Sequence, residues 1–274
     1  MTNQFITMTE SQDSLPFTKG YAEVNGLRMY YEIHGQGQPL VLIHGGGSTI
    51  DTSFQKIIPP LSKSRQLIAV ELQAHGRTGD RSTDLSFEQD ADDVAALLKS
   101  LSIDNADFFG FSNGGTTALQ VAIRYPQLTR KIILASALVN RSGAPEWFWD
   151  FMKEATLDNM PAQLKAAYLQ VVPDMDALQN MHDKDVKRML HFKDISWDLV
   201  HGISSPTLIV TGDKDVTTLE HAFELHKQIP NSSLAVIPGG HGEYIGELTT
   251  LKPGTKENEF IVPIIEKFLD SNPD

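Results

Sequence analysis

Short apolar runs alternate with amphipathic stretches along most of the chain, and this alternation constrains the fold more than any other feature. The first two runs, 21–24 and 27–35, predict a hairpin, because Asn25 and Gly26 between them are the strongest two-residue turn signal. Six later runs each contain a continuous apolar stretch, as strands covered on both faces do: 39–45, 66–73, 106–112, 131–139, 206–212 and 233–239. Residues 86–101, between two of these runs, have helical spacing. We therefore predict an α/β fold with a doubly wound, mostly parallel sheet.

Residues 141–200 interrupt this alternation. Helical spacing dominates there, no β-branched run occurs, and all three tryptophans and five of the eight methionines lie in this segment. We predict that 141–200 form a helical cap, inserted between two strands of a core that spans 21–140 and 201–274. Residues 1–20 lack the basic start and the apolar block of a signal peptide, so we predict a loose tail there.

Composition excludes several classes of protein and site. The net charge of −12 repels phosphate backbones, so nucleic acid is not an expected partner. No apolar stretch approaches the ~18 residues that a membrane-spanning helix needs. The absence of cysteine excludes disulfides, thiolate–zinc sites and cysteine nucleophiles. We expect a cytoplasmic protein that acts on a small molecule; its oligomeric state, and whether a leader has been removed, stay open.

Ser112 lies between glycines at the point where a predicted strand meets a predicted helix. Gly110, Ser112 and Gly114 satisfy the pattern G-x-S-x-G. A sharp strand-to-helix turn presents such a serine, and its close backbone packing leaves no room for side chains at the glycines. The pattern is short, so a glycine-rich turn with a bystander serine is one alternative. A P-loop is another, although Thr116 stands where that motif has its lysine.

A serine hydroxyl is a weak nucleophile until a base takes its proton, and nine histidines compete for that role. His241 is our candidate because it follows the last apolar run and lies in a glycine-rich loop. His221 and His226 belong to an amphipathic stretch and are predicted to lie on the surface. His75 sits in a turn and has no partner motif.

The base needs an acid that orients it, and two aspartates follow the run 206–212. Asp213 comes directly after Gly212, where a short carboxylate commonly closes a turn through backbone N–H groups. Asp215 lies farther along the loop and can reach across to the turn after the last strand. Both remain candidates, and we favour Asp215 as the acid.

The sequence HGGGS at 44–48 follows another apolar run and resembles the oxyanion loop of esterases. Glycine lets a backbone N–H approach the substrate oxygen closely. We predict that the N–H groups of Gly46 and Asn113 are the two oxyanion donors. His44 is predicted to fix this loop by hydrogen bonds.

Together these motifs resemble the α/β-hydrolase superfamily, from about Tyr21 to Leu269. The stretches that carry the resemblance are HGGGS at 44–48, ELQAHGRTGD at 71–80, GFSNGG at 110–115, GDKD at 212–215 and GGHGEYIGE at 239–247. The resemblance implies Ser112, Asp215 and His241 as the catalytic residues and a lid where 141–200 lie. Where the family often has Asp, Gly and Ser after its fourth strand, this chain has Glu71, Ala74 and Thr78.

The residue presented by the sharp strand-to-helix turn distinguishes the kinds of reaction found in this family. Epoxide hydrolases and haloalkane dehalogenases use aspartate there, whereas this chain has Ser112. The resemblance therefore implies hydrolysis of a carboxylic ester, lactone or thioester, and the methionines and tryptophans of the cap suggest an apolar substrate. Carbon–carbon bond hydrolases, aminopeptidases and perhydrolases share the same triad and stay open, as does a non-enzymatic binding protein.

We predict no cofactor and no metal. A metal-dependent hydrolase needs clustered ligands. The nearest approach in the sequence is His241 with Glu243 and Glu247, which has neither a second histidine nor the H-E-x-x-H spacing.

Overall fold

An eight-stranded sheet forms the centre of the protein. The computed structural model describes residues 17–252, 254, 256 and 258–271. Its strands are β1 (Phe17–Val24), β2 (Leu27–His34), β3 (Gln38–Ile43), β4 (Arg65–Val70), β5 (Ala106–Phe111), β6 (Thr129–Ala135), β7 (Thr207–Gly212) and β8 (Ser232–Ile237). They follow the order β1-β2-β4-β3-β5-β6-β7-β8, and strand pairs are parallel except β1–β2 and β2–β4. This confirms the predicted doubly wound, mostly parallel sheet.

Helices cover both faces of this sheet. The α-helices are α1 (Ile50–Phe54), α2 (Ile58–Leu61), α3 (Phe87–Ser100), α4 (Asn113–Arg124), α5 (Glu146–Lys153), α6 (Ala162–Val171), α7 (Met175–Leu190), α8 (Trp197–His201), α9 (Leu219–Gln228) and α10 (Asn258–Asp270). Short 3₁₀ helices span Arg141–Gly143, Leu157–Asn159, Glu243–Ile245 and Leu248–Thr250. Side chains of α3, α4 and α9 pack with Val41 and Ile43, and those of α1, α2 and α10 pack with Leu40 and Leu42. Successive residues of β3 therefore face opposite apolar layers, which explains its continuous apolar stretch.

Lys131 of β6 holds the end of α10 against the sheet. Its side chain is buried, and Nζ donates hydrogen bonds to the carbonyl oxygens of Phe268 at 2.7 Å and Leu269 at 3.1 Å, and also to Ser271. The last carbonyls of a helix have no partner within the helix. A buried lysine thus satisfies them from the neighbouring strand.

The segment between β6 and β7 is helical and contains no strand; all of its residues are described. Its longest helix, α7, lies on the loop that follows β4. Lys184 pairs with Asp80 at 2.7 Å and Lys187 with Asp84 at 2.7 Å, so the contact is largely ionic on this side. We call residues 141–200 the cap.

Two expectations from the sequence need correction. Strand β1 begins at Phe17, so the predicted tail over 1–20 ends too late; Phe17 pairs with His34 of β2 and the two rings stack 4.6 Å apart. The rest of that tail, 1–16, lies outside the described residues. His221 is buried rather than on the surface, because its ring fits against Gly143 and its Nε2 accepts the N–H of Val139 at 3.1 Å.

Within the described ranges, no helix combines the length and the apolar character needed to cross a bilayer.

Candidate active site

Ser112 occupies a strained turn between β5 and α4. The strand ends at Phe111 and the helix begins at Asn113, so the serine is the one residue between them. Its backbone has φ +54° and ψ −122°, a region that costs a residue with a side chain of order 1–3 kcal/mol. Such strain persists only where the surroundings impose it. Here it directs the Ser112 hydroxyl away from the sheet edge, into the cavity under the cap.

The three glycines around Ser112 each have a steric reason. A Cβ on Gly110 would collide with the backbone carbonyl of Gly114, and a Cβ on Gly114 would collide with the carbonyls at the end of β3. On Gly115 it would lie 2.7 Å from Cβ of Ala137. The turn, helix α4 and strand β3 therefore pack more closely than any side chain would allow.

His241 lies between Ser112 and Asp215 in one hydrogen-bonded row. Its Nε2 is 3.0 Å from Ser112 Oγ, and its Nδ1 is 2.6 Å from Asp215 Oδ1. The imidazole is partly exposed and packs against the ring of Phe111, 4.9 Å between centroids. The three predicted residues, 129 positions apart at most, are thus brought together with the histidine in the middle.

Asp215 is held from several sides. Its Oδ2 accepts hydrogen bonds from Ser136 Oγ at 2.5 Å and from the N–H of Gly212 at 3.1 Å, and its Oδ1 accepts the N–H of Thr217 at 3.3 Å. Burial alone would raise the pKa of this carboxyl, but the attraction of His241 and these hydrogen bonds outweigh burial and lower the pKa to about 2. Asp215 is therefore a carboxylate at neutral pH.

Asp213, the other candidate acid, points elsewhere. Its Oδ1 accepts the N–H of Gly239 at 2.8 Å and so joins the loop after β7 to the loop after β8. Asp215, and not Asp213, is the aspartate that contacts His241.

Gly46 and Asn113 lie side by side at the end of the site next to Ser112. A Cβ on Gly46 would be 2.5 Å from the side-chain nitrogen of Asn113, and one on Gly45 would be 3.3 Å from Cβ of Ser112. Within the described part of the chain, the backbone N–H groups of Gly46 and Asn113 have no hydrogen-bond acceptor. Two neighbouring N–H groups are thus available beside the serine.

His44 fixes the beginning of this loop, as its position suggested. Its Nδ1 donates to the carbonyl of Gly45 at 2.7 Å, and its Nε2 accepts the N–H of Leu72 at 3.0 Å. One nitrogen donates and the other accepts, so the ring is neutral. Burial accordingly lowers the pKa of His44 to about 3.

Sequence reasoning missed the contact of His75 with Asp185. His75 Nε2 is 2.9 Å from Asp185 Oδ2, and the same oxygen accepts the N–H of Gly47 at 2.5 Å. Asp185 belongs to cap helix α7, 110 positions from His75. No local spacing links residues so far apart, so only the packing of the cap on the core reveals the contact.

A cavity of about 240 Å³ opens beside Ser112 under the cap. Its walls are mainly apolar and include Leu138, Phe148, Met152, Met160, Leu164 and Met189. Asp185 and two histidines also reach it, whereas neither lysine nor arginine is among the described residues that line it. Three of the five cap methionines therefore line the cavity, and none of the three cap tryptophans is among the described lining residues. Trp149 packs between Phe148 and Phe192.

The loop after β4 differs from the family pattern at Glu71, Ala74 and Thr78. Glu71 is buried and accepts hydrogen bonds from the backbone N–H of Arg77 at 2.5 Å and from its guanidinium at 2.7 Å. Burial raises the pKa of Glu71 to about 7 despite the arginine. Ala74 has φ +65°, a conformation that glycine adopts more easily. None of the three forms a hydrogen bond with Ser112, so the difference from the family pattern affects the loop after β4 and not the hydrogen bonds of His241 with Ser112 and Asp215.

The chain is similar to several known hydrolases. The chain is 28% identical to serine hydrolase BPHL of Homo sapiens over 239 residues, which cover 81% of this chain and 79% of the relative. It is 21% identical to 2-hydroxy-6-oxo-6-(2'-aminophenyl)hexa-2,4-dienoic acid hydrolase of Metapseudomonas resinovorans, over 87% of this chain and 89% of that protein. Among solved structures, the N-acyl homoserine lactone degrading enzyme Est816 superposes with a TM-score of 0.70 at 25% identity, covering 91% and 100% of the two chains.

A family model described as the alpha/beta hydrolase fold matches residues 38–188, more than half of the chain. The match spans the loop of Gly46, the turn of Ser112 and most of the cap. The sheet order, the turn and the family model all lead to one assignment. The chain belongs to the α/β-hydrolase fold family.

Proposed function

We propose that this protein is a serine hydrolase that cleaves a carboxylic ester, lactone or thioester of a small, uncharged, apolar substrate through an acyl-enzyme. The observation that carries the proposal is the row in which His241 lies 3.0 Å from Ser112 and 2.6 Å from Asp215. In such a row Ser112 is the nucleophile, His241 the general base and Asp215 the acid that orients it.

Each step has a group suited to it. His241 Nε2 takes the hydroxyl proton while Ser112 Oγ attacks the carbonyl carbon of the substrate. The oxyanion that forms accepts hydrogen bonds from the N–H groups of Gly46 and Asn113. Collapse of this intermediate breaks the ester bond, and the leaving alcohol takes the proton from His241. A water then gives a proton to His241 as its oxygen attacks the acyl carbon. The bond from that carbon to Ser112 Oγ breaks, His241 returns the proton to Oγ, and the carboxylic acid leaves.

Electrostatics support the role of the base. Burial alone would lower the pKa of His241, but the charge and hydrogen bond of Asp215 more than offset burial and raise the pKa above its usual value. The imidazolium that forms during acylation is therefore stabilised next to a carboxylate. Since Asp215 keeps its charge down to a pKa of about 2, this support is present across the neutral range.

The cavity wall favours an uncharged substrate. A buried carboxylate needs a cationic partner, and neither lysine nor arginine stands among the described lining residues. The net charge of −12 also opposes an anionic substrate. Esters and lactones with neutral acyl or aryl groups match this apolar lining.

Carbon–carbon bond hydrolysis is the second candidate, because the chain resembles a hydrolase named for a dienoic acid. Such an acid carries a carboxylate, which the wall just described does not neutralise. Charge selectivity therefore separates the two candidates.

Paired substrates test the proposal. We would compare p-nitrophenyl butyrate with mono-p-nitrophenyl succinate, which differ chiefly by a carboxylate, and measure a neutral lactone and a dienoic acid alongside. The proposal predicts kcat/KM at least about tenfold higher for the neutral ester than for the anionic one, since burial of a carboxylate without a cationic partner is costly. Turnover of the dienoic acid alone, or preference for the succinate, would favour the second candidate. Failure of an organophosphonate probe to label Ser112 would instead favour a non-enzymatic protein.

A further inference from the structure

Four buried charged side chains connect the cap to the core behind the loop of Gly46. Arg188 of α7 pairs with Asp90 of α3 at 2.7 Å and with Asp185 on its own helix. Asp185 in turn contacts His75, in the loop after β4, at 2.9 Å. Their exposed fractions are 1% for Asp90, 6% for Arg188, 8% for Asp185 and 0% for His75. Charges buried so deeply are costly unless all of them are paired.

The surroundings of His75 favour its protonated form. Nδ1 lies 2.8 Å from the carbonyl oxygen of Gln73, and Nε2 lies 2.9 Å from the carboxylate of Asp185. Both of these partners accept hydrogen bonds, and the N–H of Gly47 is a more distant neighbour, 3.3 Å from Nε2. Burial would lower the pKa of His75, but Asp185 outweighs burial and raises it. The network thus has two positive and two negative groups.

Asp185 makes the shorter of two contacts between the network and the loop with the proposed oxyanion donor; the other is His75 Nε2, 3.3 Å from the nitrogen of Gly47. Its Oδ2 accepts the N–H of Gly47 at 2.5 Å, and a Cβ on Gly46 would lie 3.0 Å from that same oxygen. Gly47 has φ +64°, so the loop turns sharply at the residue that Asp185 holds. The direction of the neighbouring Gly46 N–H depends on this turn.

The same contacts exclude Asp185 as a binding site for a substrate cation. Its Oδ2 accepts from Gly47 and His75, and its Oδ1 accepts from Arg188. Two adjacent cations already balance its charge. Although it reaches the cavity wall, its carboxylate is committed to the loop and to the network.

We propose that Asp185, supported by His75, is a positioning residue for the oxyanion donor. It holds the N–H of Gly47, which aims the N–H of Gly46 at the substrate oxygen, so the donor is in place only while helix α7 is seated on the core. The inference rests on the proposed function, in which Gly46 stabilises the oxyanion.

The test compares Asp185→Asn with Asp90→Asn. Both remove one carboxylate charge from the same arginine at a buried position, but only Asp185 touches the loop. We expect Asp185→Asn to lower kcat for a neutral p-nitrophenyl ester about 10- to 100-fold, with KM within about threefold, because displacement of a catalytic group by about 1 Å costs up to ~10². Asp90→Asn should lower thermal stability and keep kcat within about threefold of wild type.

Two further measurements make the outcome decisive. In protein labelled with ¹⁵N-glycine, the amide proton of Gly47 should move upfield in Asp185→Asn and stay in place in Asp90→Asn. If Asp185→Asn does not fold, it is compared within an Asp90→Asn/Arg188→Met background, where no arginine charge is left unpaired. Equal kcat losses in the two variants, or kcat of Asp185→Asn within threefold of wild type, would overturn the inference alone. Wild-type protein inert toward both ester and organophosphonate would overturn the proposed function and this inference with it.

Discussion

Ser136 Oγ donates a 2.5 Å hydrogen bond to Asp215 Oδ2, from a backbone with φ +52°. The phenolic oxygen of Tyr244 lies 2.6 Å from the same hydroxyl, and this tyrosine is fully buried. The Asp215 carboxylate, which contacts His241 through Oδ1, is therefore also held through Oδ2 by Ser136, and Ser136 in turn contacts Tyr244. Ser136 stands in no motif of the sequence, and Tyr244, although it lies within GGHGEYIGE at 239–247, has no role that the sequence predicts.

Replacement of Ser136 should weaken the proposed acid. A hydrogen bond to a charged group contributes about 1.5–3 kcal/mol, so we expect Ser136→Ala to lower kcat for a neutral ester about tenfold or more. Tyr244→Phe keeps the bond between Ser136 and Asp215 and serves as the control, with a smaller loss expected. Steady-state kinetics on both variants checks this. Equal activity of Ser136→Ala and wild type would show that Asp215 needs no support from Ser136.

The two aspartates after β7 should behave differently on substitution. Loss of the acid gives the wrong histidine tautomer and costs about 10⁴ in kcat in the best-studied serine proteases, so we expect a loss of that order for Asp215→Asn. Asp213→Asn, the matched control, changes the link to Gly239 and should keep kcat within about threefold. Measured kcat and thermal unfolding of both variants would decide. The reverse pattern would make Asp213 the acid.

The rate should depend on pH through His241. Its neutral form acts as the base, so activity is present above the pKa of the ring and falls about tenfold per pH unit below it. Since Asp215 raises that pKa, the inflection of kcat/KM for the wild type should lie above the ordinary value of ~6.5. In Asp215→Asn, ring NMR should show His241 titrating at lower pH. An inflection below ~6.5, or one unaffected by this substitution, would contradict the assignment.

Lys131 should matter for stability rather than for chemistry. Lys131→Met leaves buried carbonyls at the end of α10 without donors, and each such group costs about 1–3 kcal/mol. We expect the free energy of unfolding in urea to fall by at least that amount. Lys267→Met, on the exposed side of the same helix, should change it by no more than about 0.5 kcal/mol. Equal values for the two variants would show that the carbonyls find other partners.

The sequence predicted most of the sheet because each buried strand meets apolar layers on both faces. Leu40 and Leu42 face one layer while Val41 and Ile43 face the other, so the run is apolar throughout and easy to recognise. The turn at Ser112 was equally visible, since its tight packing requires glycine at fixed spacings. Both features are predictable because local packing restricts which residue types can occupy these positions.

Contacts made by the cap were not predictable in the same way. His75 and Asp185 meet only because α7 lies on the loop after β4, and each residue alone resembles an ordinary polar residue. The amphipathic pattern of α9 predicts His221 on the surface, yet its ring lies against Gly143 and accepts a backbone N–H. The start of β1 at Phe17 likewise depends on pairing with His34, which local composition does not encode.

Direct observation of an acyl group on Ser112 tests the central claim. Wild-type protein mixed with a neutral p-nitrophenyl ester and quenched in acid should gain the mass of one acyl group, and peptide mapping should locate it on Ser112. Ser112→Ala should form no adduct and lose nearly all hydrolysis while it keeps its fold. An acyl group on another residue, or hydrolysis by Ser112→Ala within tenfold of wild type, would contradict the account.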